Sequence, residues 1–146
     1  MDAIKNLLSR KSSKNLEAPF PSKKEMDIVY QSALRAPDHA WLRPSKFLEY
    51  KGKSLEKLSK IFTNFANDHF QDDKAFIEKA KAAPFRAPMV IVLITEIKDH
   101  PKVPDIEQML STSAATQNIL LALHALGYGA IWKTGKLALN ENIPKY

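Results

Sequence analysis

The sequence predicts an α+β fold, a sandwich of helices flanking a small central sheet of antiparallel or mixed strands. Three observations carry this expectation. Several stretches place apolar residues at helical spacing, only three short segments have strand character, and their order lacks the regular strand–helix alternation of a parallel sheet. A length of 146 residues suits one domain over 1–146. A hydrophobic share of 45% with 26% charged residues is that of a globular chain.

The elements follow in order. Residues 2 to 9 put Ile4, Leu7 and Leu8 on one helical face behind Asp2 as the cap. Ser22-Lys23-Lys24-Glu25 has the form of a capping box, opening a helix whose buried stripe is Met26, Val29, Tyr30 and Ala33. That helix ends near Arg35-Ala36, because Pro37 disfavours helical geometry in the residue before it. Lys46 to Tyr50 reads as a strand closed by Gly52. Ser54 then caps a third helix with the stripe Leu55, Leu58, Ile61, Phe62 and Phe65. A shorter helix follows Asp72. Met89 to Ile94 is a continuous apolar run rich in β-branched residues, which predicts a strand at the sheet's centre, covered on both faces. Pro104 suits the first turn of a long helix, Asp105 and Glu107 complement its dipole, and Gly127 ends it. This helix is small or apolar nearly all round, so it should be buried, with a partner subunit completing its cover. Tyr128 to Trp132 is the third expected strand, and Gly135 marks a turn.

The composition excludes several functions. There is no cysteine, which removes disulfides, thiolate nucleophiles and Cys-ligated zinc and suits an intracellular, cytoplasmic location. Met1 to Leu8 is amphipathic with an acid at its second residue, unlike a signal peptide. The longest apolar runs fall far short of the ~20 residues of a membrane span. A net charge of +6 and a pI near 9.5 favour an anionic partner or simply a lysine-coated surface. No aromatic-interleaved basic stripe points to nucleic acid, and His39, His69, His100 and His124 lack the spacing of a metal site.

Three segments carry candidate chemistry. Arg10-Lys11-Ser12-Ser13-Lys14 gathers cations and hydroxyls suited to a phosphate, or else forms a solvated helix end whose cations complement the dipole. Arg35-Ala36-Pro37-Asp38-His39 projects an arginine, an acid and an imidazole from a rigid turn. These either hold a planar polar ligand or pair locally, Asp38 with Arg35 and His39 with a loop carbonyl. Trp132-Lys133-Thr134-Gly135 lines a ligand or marks a strand edge with a surface lysine. No Ser/His/Asp or Cys/His arrangement and no acid/base dyad stands out, so no catalytic side chain is assigned.

Together these segments resemble the nitroreductase family. The likeness runs from Met1-Asp2-Ala3-Ile4 and Arg10-Lys11-Ser12 through Leu34 to His39, Ala83 to Pro88, and Lys102-Val103-Pro104 with Glu107-Gln108, to Gly129 through Gly135. It covers nearly the whole chain and is most similar to a compact bacterial NAD(P)H nitroreductase subgroup. The resemblance implies an FMN-dependent enzyme, a homodimer with the flavin at the subunit interface. Hydride enters from NADH or NADPH, and electrons leave to nitro compounds or quinone-like small molecules. It also implies the site. Arg10, Lys11 and Ser12 hold the phosphate and ribityl side of FMN, Arg35 and His39 contact it from a neighbouring turn, and Trp132, Lys133 and Thr134 complete the pocket. Ala122, Leu123, His124, Ala125, Leu126 and Gly127 match the region assigned to the nicotinamide nucleotide. The chain departs from the family where Leu42-Arg43-Pro44-Ser45 replaces an Asn and a Pro-Trp pair. It also stops at Asn142 to Tyr146, where the family continues with a further helix and a C-terminal strand, so a missing C-terminal strand and a truncated domain are expected. The alternative reading is a flavin-binding or interaction protein of the same fold without turnover.

Overall fold

The computed structural model describes residues 2–140 and 142–143. Its elements are α1 (Ala3–Ser9), α2 (Lys23–Ala33), β1 (Ser45–Lys51), α3 (Ser54–His69), α4 (Lys74–Ala82), β2 (Met89–Thr95) and α5 (Asp105–Ala125), with 3-10 turns at His39–Trp41 and Ala83–Arg86. This is the expected α+β arrangement, five helices with a small antiparallel sheet. The end of the chain from Pro144 to Tyr146, where truncation is expected, lies outside the described residues.

The described chain divides into two compact units. The first comprises residues 1–14, 20–48 and 91–131 and is organised around α5. The capping box of α2 is present. Ser22 Oγ accepts from the Glu25 N–H at 3.3 Å, and Glu25 Oε2 accepts from the Ser22 N–H at 2.8 Å, so two helix-end donors are satisfied reciprocally. Met26, Val29 and Ala33 are then buried as the stripe predicts, while Tyr30 is half-buried and stacks on Phe47. α2 packs on α5, whose contribution is mainly small: Thr112, Ala115 and Thr116, then Ile119 and Leu123. The short side chains of Ser111 to Thr116 let the backbones approach, and Asn118 Nδ2 donates to the Ser32 carbonyl at 3.0 Å. Each fully buried aliphatic side chain contributes about 1.5–3 kcal/mol over an exposed one.

The helix is less covered than its composition suggests. Ile106, Met109 and Leu110 are 57%, 47% and 60% exposed, because α2 covers one face only and these three residues stand off it. Gln108, by contrast, is almost fully buried. Its Oε1 accepts from the Lys98 N–H at 2.9 Å and its Nε2 donates to the Lys98 carbonyl at 2.8 Å.

The second unit comprises, of the described residues, 15–19, 49–90, 132–140 and 142–143. α3 and α4 pack through Leu55, Leu58, Phe65, Ala66 and Ala80, and Ser59 Oγ ties them by donating to the Lys81 carbonyl at 2.7 Å. Asp73 caps α4, which follows Asp72 as expected, by accepting from the Phe76 N–H at 2.9 Å. Ser54 does not cap α3. Its hydroxyl donates to the Lys51 carbonyl at 2.8 Å and accepts from the Lys51 N–H at 2.6 Å, which closes the turn at Gly52. Gly52 sits at a φ of 53°, where a side chain is unfavourable.

β1 pairs only with β2 among the described residues. β2 is therefore not a central strand, and its residues are half-buried rather than covered on both faces, with Ile94 exposed. A β-branched apolar run specifies a strand, but cover depends on what is layered over it. Tyr128 to Trp132 forms no strand. It makes one parallel bridge, Ala130 with Ser12, because the segment opposite is the short stretch after α1.

Candidate functional site

The first flagged segment begins where α1 stops. Asp2 Oδ1 accepts from the Ile4 and Lys5 N–H groups at 3.0 and 3.2 Å and starts the helix. Arg10 ends it with an extended backbone, turning the chain toward Ala130. Ser12 bridges to Ala130, and the Ser13 N–H donates to the Ala130 carbonyl at 3.0 Å. Asn6 Nδ2 adds a donor to the Leu121 carbonyl at 3.0 Å, which docks α1 on α5.

The other wall is the end of α5. Gly127, at a φ of 90°, donates its N–H to the His124 carbonyl at 3.0 Å, and the Tyr128 N–H reaches the Leu123 carbonyl at 2.9 Å. This is a Schellman ending, which requires a left-handed residue at Gly127. The two termini enclose a cavity of about 300 Å³ whose lining includes Arg10, Lys11, Ser13, His124, Gly127 and Tyr128, and no acid. His124 Nε2 lies 2.9 Å from Ser9 Oγ, and Ser9 Oγ donates to the Lys5 carbonyl at 2.6 Å. The Tyr128 hydroxyl donates to Glu25 Oε2 at 3.1 Å. Burial first, and then this bond, push Tyr128 above its ordinary value and keep it a neutral donor.

The second segment lies at the opposite end of α5. Arg35 is exposed just beyond α2, its N–H donating to the Ser32 carbonyl at 3.1 Å. His39 Nδ1 pairs with Glu107 Oε2 at 2.7 Å. The local pairings foreseen for this turn are replaced. Asp38 accepts from the Arg43 N–H at 2.9 Å with the Arg43 side chain 4.0 Å away, and His39 reaches α5 instead of a loop carbonyl. Ala40, Trp41 and Arg43 have φ values of 57°, 56° and 51°, a left-handed run that costs free energy in non-glycine residues. It is held by the Asp38 bond, by Lys98 Nζ donating to the Leu42 carbonyl, and by the Arg43 guanidinium 4.7 Å over the exposed Trp41 ring. The cavity here is about 30 Å³, room for about one water.

The third segment, Trp132, Lys133 and Thr134, belongs to the second unit, where all three are exposed. Beyond it Gly135 turns the chain, and Lys136 Nζ lies 4.5 Å over the Phe70 ring. Of the stretch from Ala122 to Gly127, His124 and Gly127 line the larger cavity, and Leu123 is buried.

The structure thus gathers Arg10 and Lys11 with two residues of the nicotinamide stretch, and leaves His39 elsewhere. From Glu107, the partner of His39, to His124 is a helical rise of about 25 Å. Sequence reasoning placed Ser13 in the phosphate-suited segment but did not find Tyr128 as lining, nor Ser9 as the partner of His124. The pairing of Ser9 with His124 joins residues 115 positions apart, and no local pattern signals it. Among the described residues no helix is long and apolar enough to cross a membrane, and no cluster of three His, Asp or Glu side chains is placed to hold a metal.

The model of the Nitroreductase family matches residues 7–140. The chain is 36% identical over 137 residues to the "Putative NAD(P)H nitroreductase YdjA" of Escherichia coli (strain K12), covering 94% of itself and 74% of that protein. Its backbone is similar to the crystal structure of a nitroreductase-like family protein from Bacillus cereus, with a TM-score of 0.81 at 22% identity over 99% of this chain and 76% of that one. It is also similar to a nitroreductase with bound FMN from Bacteroides fragilis NCTC 9343, with a TM-score of 0.64 at 19% identity over 85% of this chain and 65% of that one.

Proposed function

The chain belongs to the nitroreductase family of oxidoreductase enzymes, and we propose that it is a cytoplasmic, FMN-dependent NAD(P)H oxidoreductase acting on nitro compounds or quinone-like acceptors. The observation that carries the proposal is the acid-free basic cavity at the end of α5, with Arg10, Lys11 and Ser13 in its lining. Its donors suit a phosphate monoester. A guanidinium and an ammonium give charge-assisted bonds, and the Schellman ending and the Ser12–Ala130 bridge hold the walls in place. When bound, FMN supplies the redox chemistry, taking hydride from NADH or NADPH and giving electrons to the acceptor. The protein binds and orients it. Arg10, Lys11 and Ser12 hold the phosphate and ribityl side, and His124 and Gly127 are the members of the nicotinamide stretch that meet ligand. Trp132, Lys133 and Thr134 are proposed as further flavin contacts on the likeness of their segment alone.

Arg35 and His39 enter this reading from a second copy. The ~25 Å of helix that separates the Glu107 partner of His39 from His124 supports a site shared between copies, with Arg10 from one and His39 from the other. The exposed Ile106, Met109 and Leu110 on α5, with Ile4, Leu7 and Leu8 on α1, supply apolar surface for the pairing.

Purification of the chain tests the proposal. A yellow protein whose flavin spectrum bleaches on adding NADH or NADPH is expected. Bound flavin that never bleaches would instead indicate a binding protein, and a colourless protein that FMN cannot reconstitute would overturn both readings.

A further inference from the structure

His124 lines the basic cavity but carries no role beyond its place in the nicotinamide stretch. Its hydrogen bond defines its protonation chemistry. Ser9 Oγ has one hydrogen, and that hydrogen goes to the Lys5 carbonyl at 2.6 Å. Toward His124 Nε2, 2.9 Å away, Ser9 Oγ is therefore the acceptor, which favours the tautomer whose hydrogen is on Nε2. The remaining nitrogen, Nδ1, is the atom that takes up or gives up a proton.

The surroundings set the balance. His124 stands in the last turn of α5, where the helix dipole favours a cation. Arg10 and Lys11 line the other wall, so the cavity carries positive charge opposite the ring. On α2, Glu25 is engaged by Ser22 and by the Tyr128 hydroxyl. A phosphate between these walls offsets that positive charge and adds a negative neighbour to the ring.

We propose that His124 is a third anion-binding side chain of this cavity, held by Ser9, and that a phosphate group bound there draws a proton onto its imidazole. The inference rests on the cavity being the phosphate site of the proposed flavin ligand, but its test is independent of turnover. Calorimetric titration of the full chain with sulfate, which stays a dianion over the range used, avoids the phosphate monoester's own titration near pH ~6. Wild type is compared with His124→Gln, which keeps a donor for Ser9, between about pH 8.5 and about pH 5.5. The wild-type advantage in sulfate affinity should grow about tenfold toward the acid end. FMN should show the same divergence and riboflavin, which lacks the phosphate, none.

Parallel profiles for the two proteins, or an equal effect on FMN and riboflavin, would overturn the proposal. Circular dichroism of His124→Gln, together with the wild-type pH profile on its own, separates a binding effect from misfolding. Sulfate binding with the His124 signature but no FMN binding would sink the flavin reading and leave this one standing. A wild type that binds neither ligand would remove both.

Discussion

The two ends of α5 solve different problems. At its C-terminal end, backbone motifs build the walls: a Schellman ending at Gly127, a bridge between Ser12 and Ala130, and a regular cap on α1. Cations face a cavity of about 300 Å³ there. At its N-terminal end, side chains restrain a backbone that would not hold its shape unaided. Asp38 grips Arg43, Glu107 grips His39, and three non-glycine residues are left-handed. The cavity there is about 30 Å³. The contrast is that one chain presents a preformed basic cavity and, ~25 Å along α5, a second set of polar groups around a far smaller one. In the proposed function the two sets meet on one ligand through a second copy of the chain.

The largest expected effect attacks the preformed end. Arg10→Ala should weaken FMN binding about 10- to 100-fold, the range of a lost charge-assisted bond of about 1.5–3 kcal/mol, with little change in unfolding temperature. If flavin occupancy were unchanged, the basic pocket would lose its assignment. Mixing Arg10→Ala with His39→Ala sharpens the comparison further. A mixed dimer should regain one intact site, and its flavin content should exceed that of either variant alone. No recovery would place His39 and Arg10 in the same protomer's site and contradict the separation along α5.

A smaller effect probes the side-chain-held end. Gln108→Ala removes both bonds to Lys98 and should destabilise the protein by about 1–2 kcal/mol in urea titrations. Flavin affinity per folded molecule should stay close to wild type if the phosphate pocket at the far end is independent. A matching loss of affinity would show the two ends to be coupled.

The smallest effect concerns pH near the pocket. The Ser22 hydroxyl at 2.6 Å, then the Ser22 N–H and the Tyr128 hydroxyl, hold Glu25 below its ordinary value of 4.5, with burial opposing them. A carboxylate depressed on folding stabilises fully above its unfolded value, and that contribution disappears as pH falls through the folded one. Ser22→Ala should therefore cost more stability near neutrality than near about pH 3, as chemical denaturation at the two pH values would read. An equal cost at both would assign the effect to the hydroxyl cap alone.

Local signals in the sequence account well for the helices. Asp2, the Ser22 to Glu25 box, the stripe of α2 and the Gly127 ending all act through neighbours within four or five residues, so their chemistry is visible in the order of residues. The same locality explains the misses. Ser54 has the residue type of a cap but is used to close the Gly52 turn. β2 was legible as a strand, but not its position in the sheet or its cover, because both depend on what pairs with and packs over it. The candidate residues Arg10, Lys11, His124 and Gly127 were legible through the family likeness, which aligns segments in order without saying which ones meet.

By itself, then, the sequence determined the helices, the caps at Asp2 and Ser22 and the family, since these rest on short-range spacing and on the order of motifs. Only the tertiary structure decided that Arg10 and Lys11 share a cavity with His124, that Ser9 orients that imidazole, and that His39 stands at the other end of the same helix. The physical reason is that a 21-residue helix is a rigid rod. Residues distant in the chain that dock at the same end become neighbours, while those that dock at opposite ends are held apart by its length.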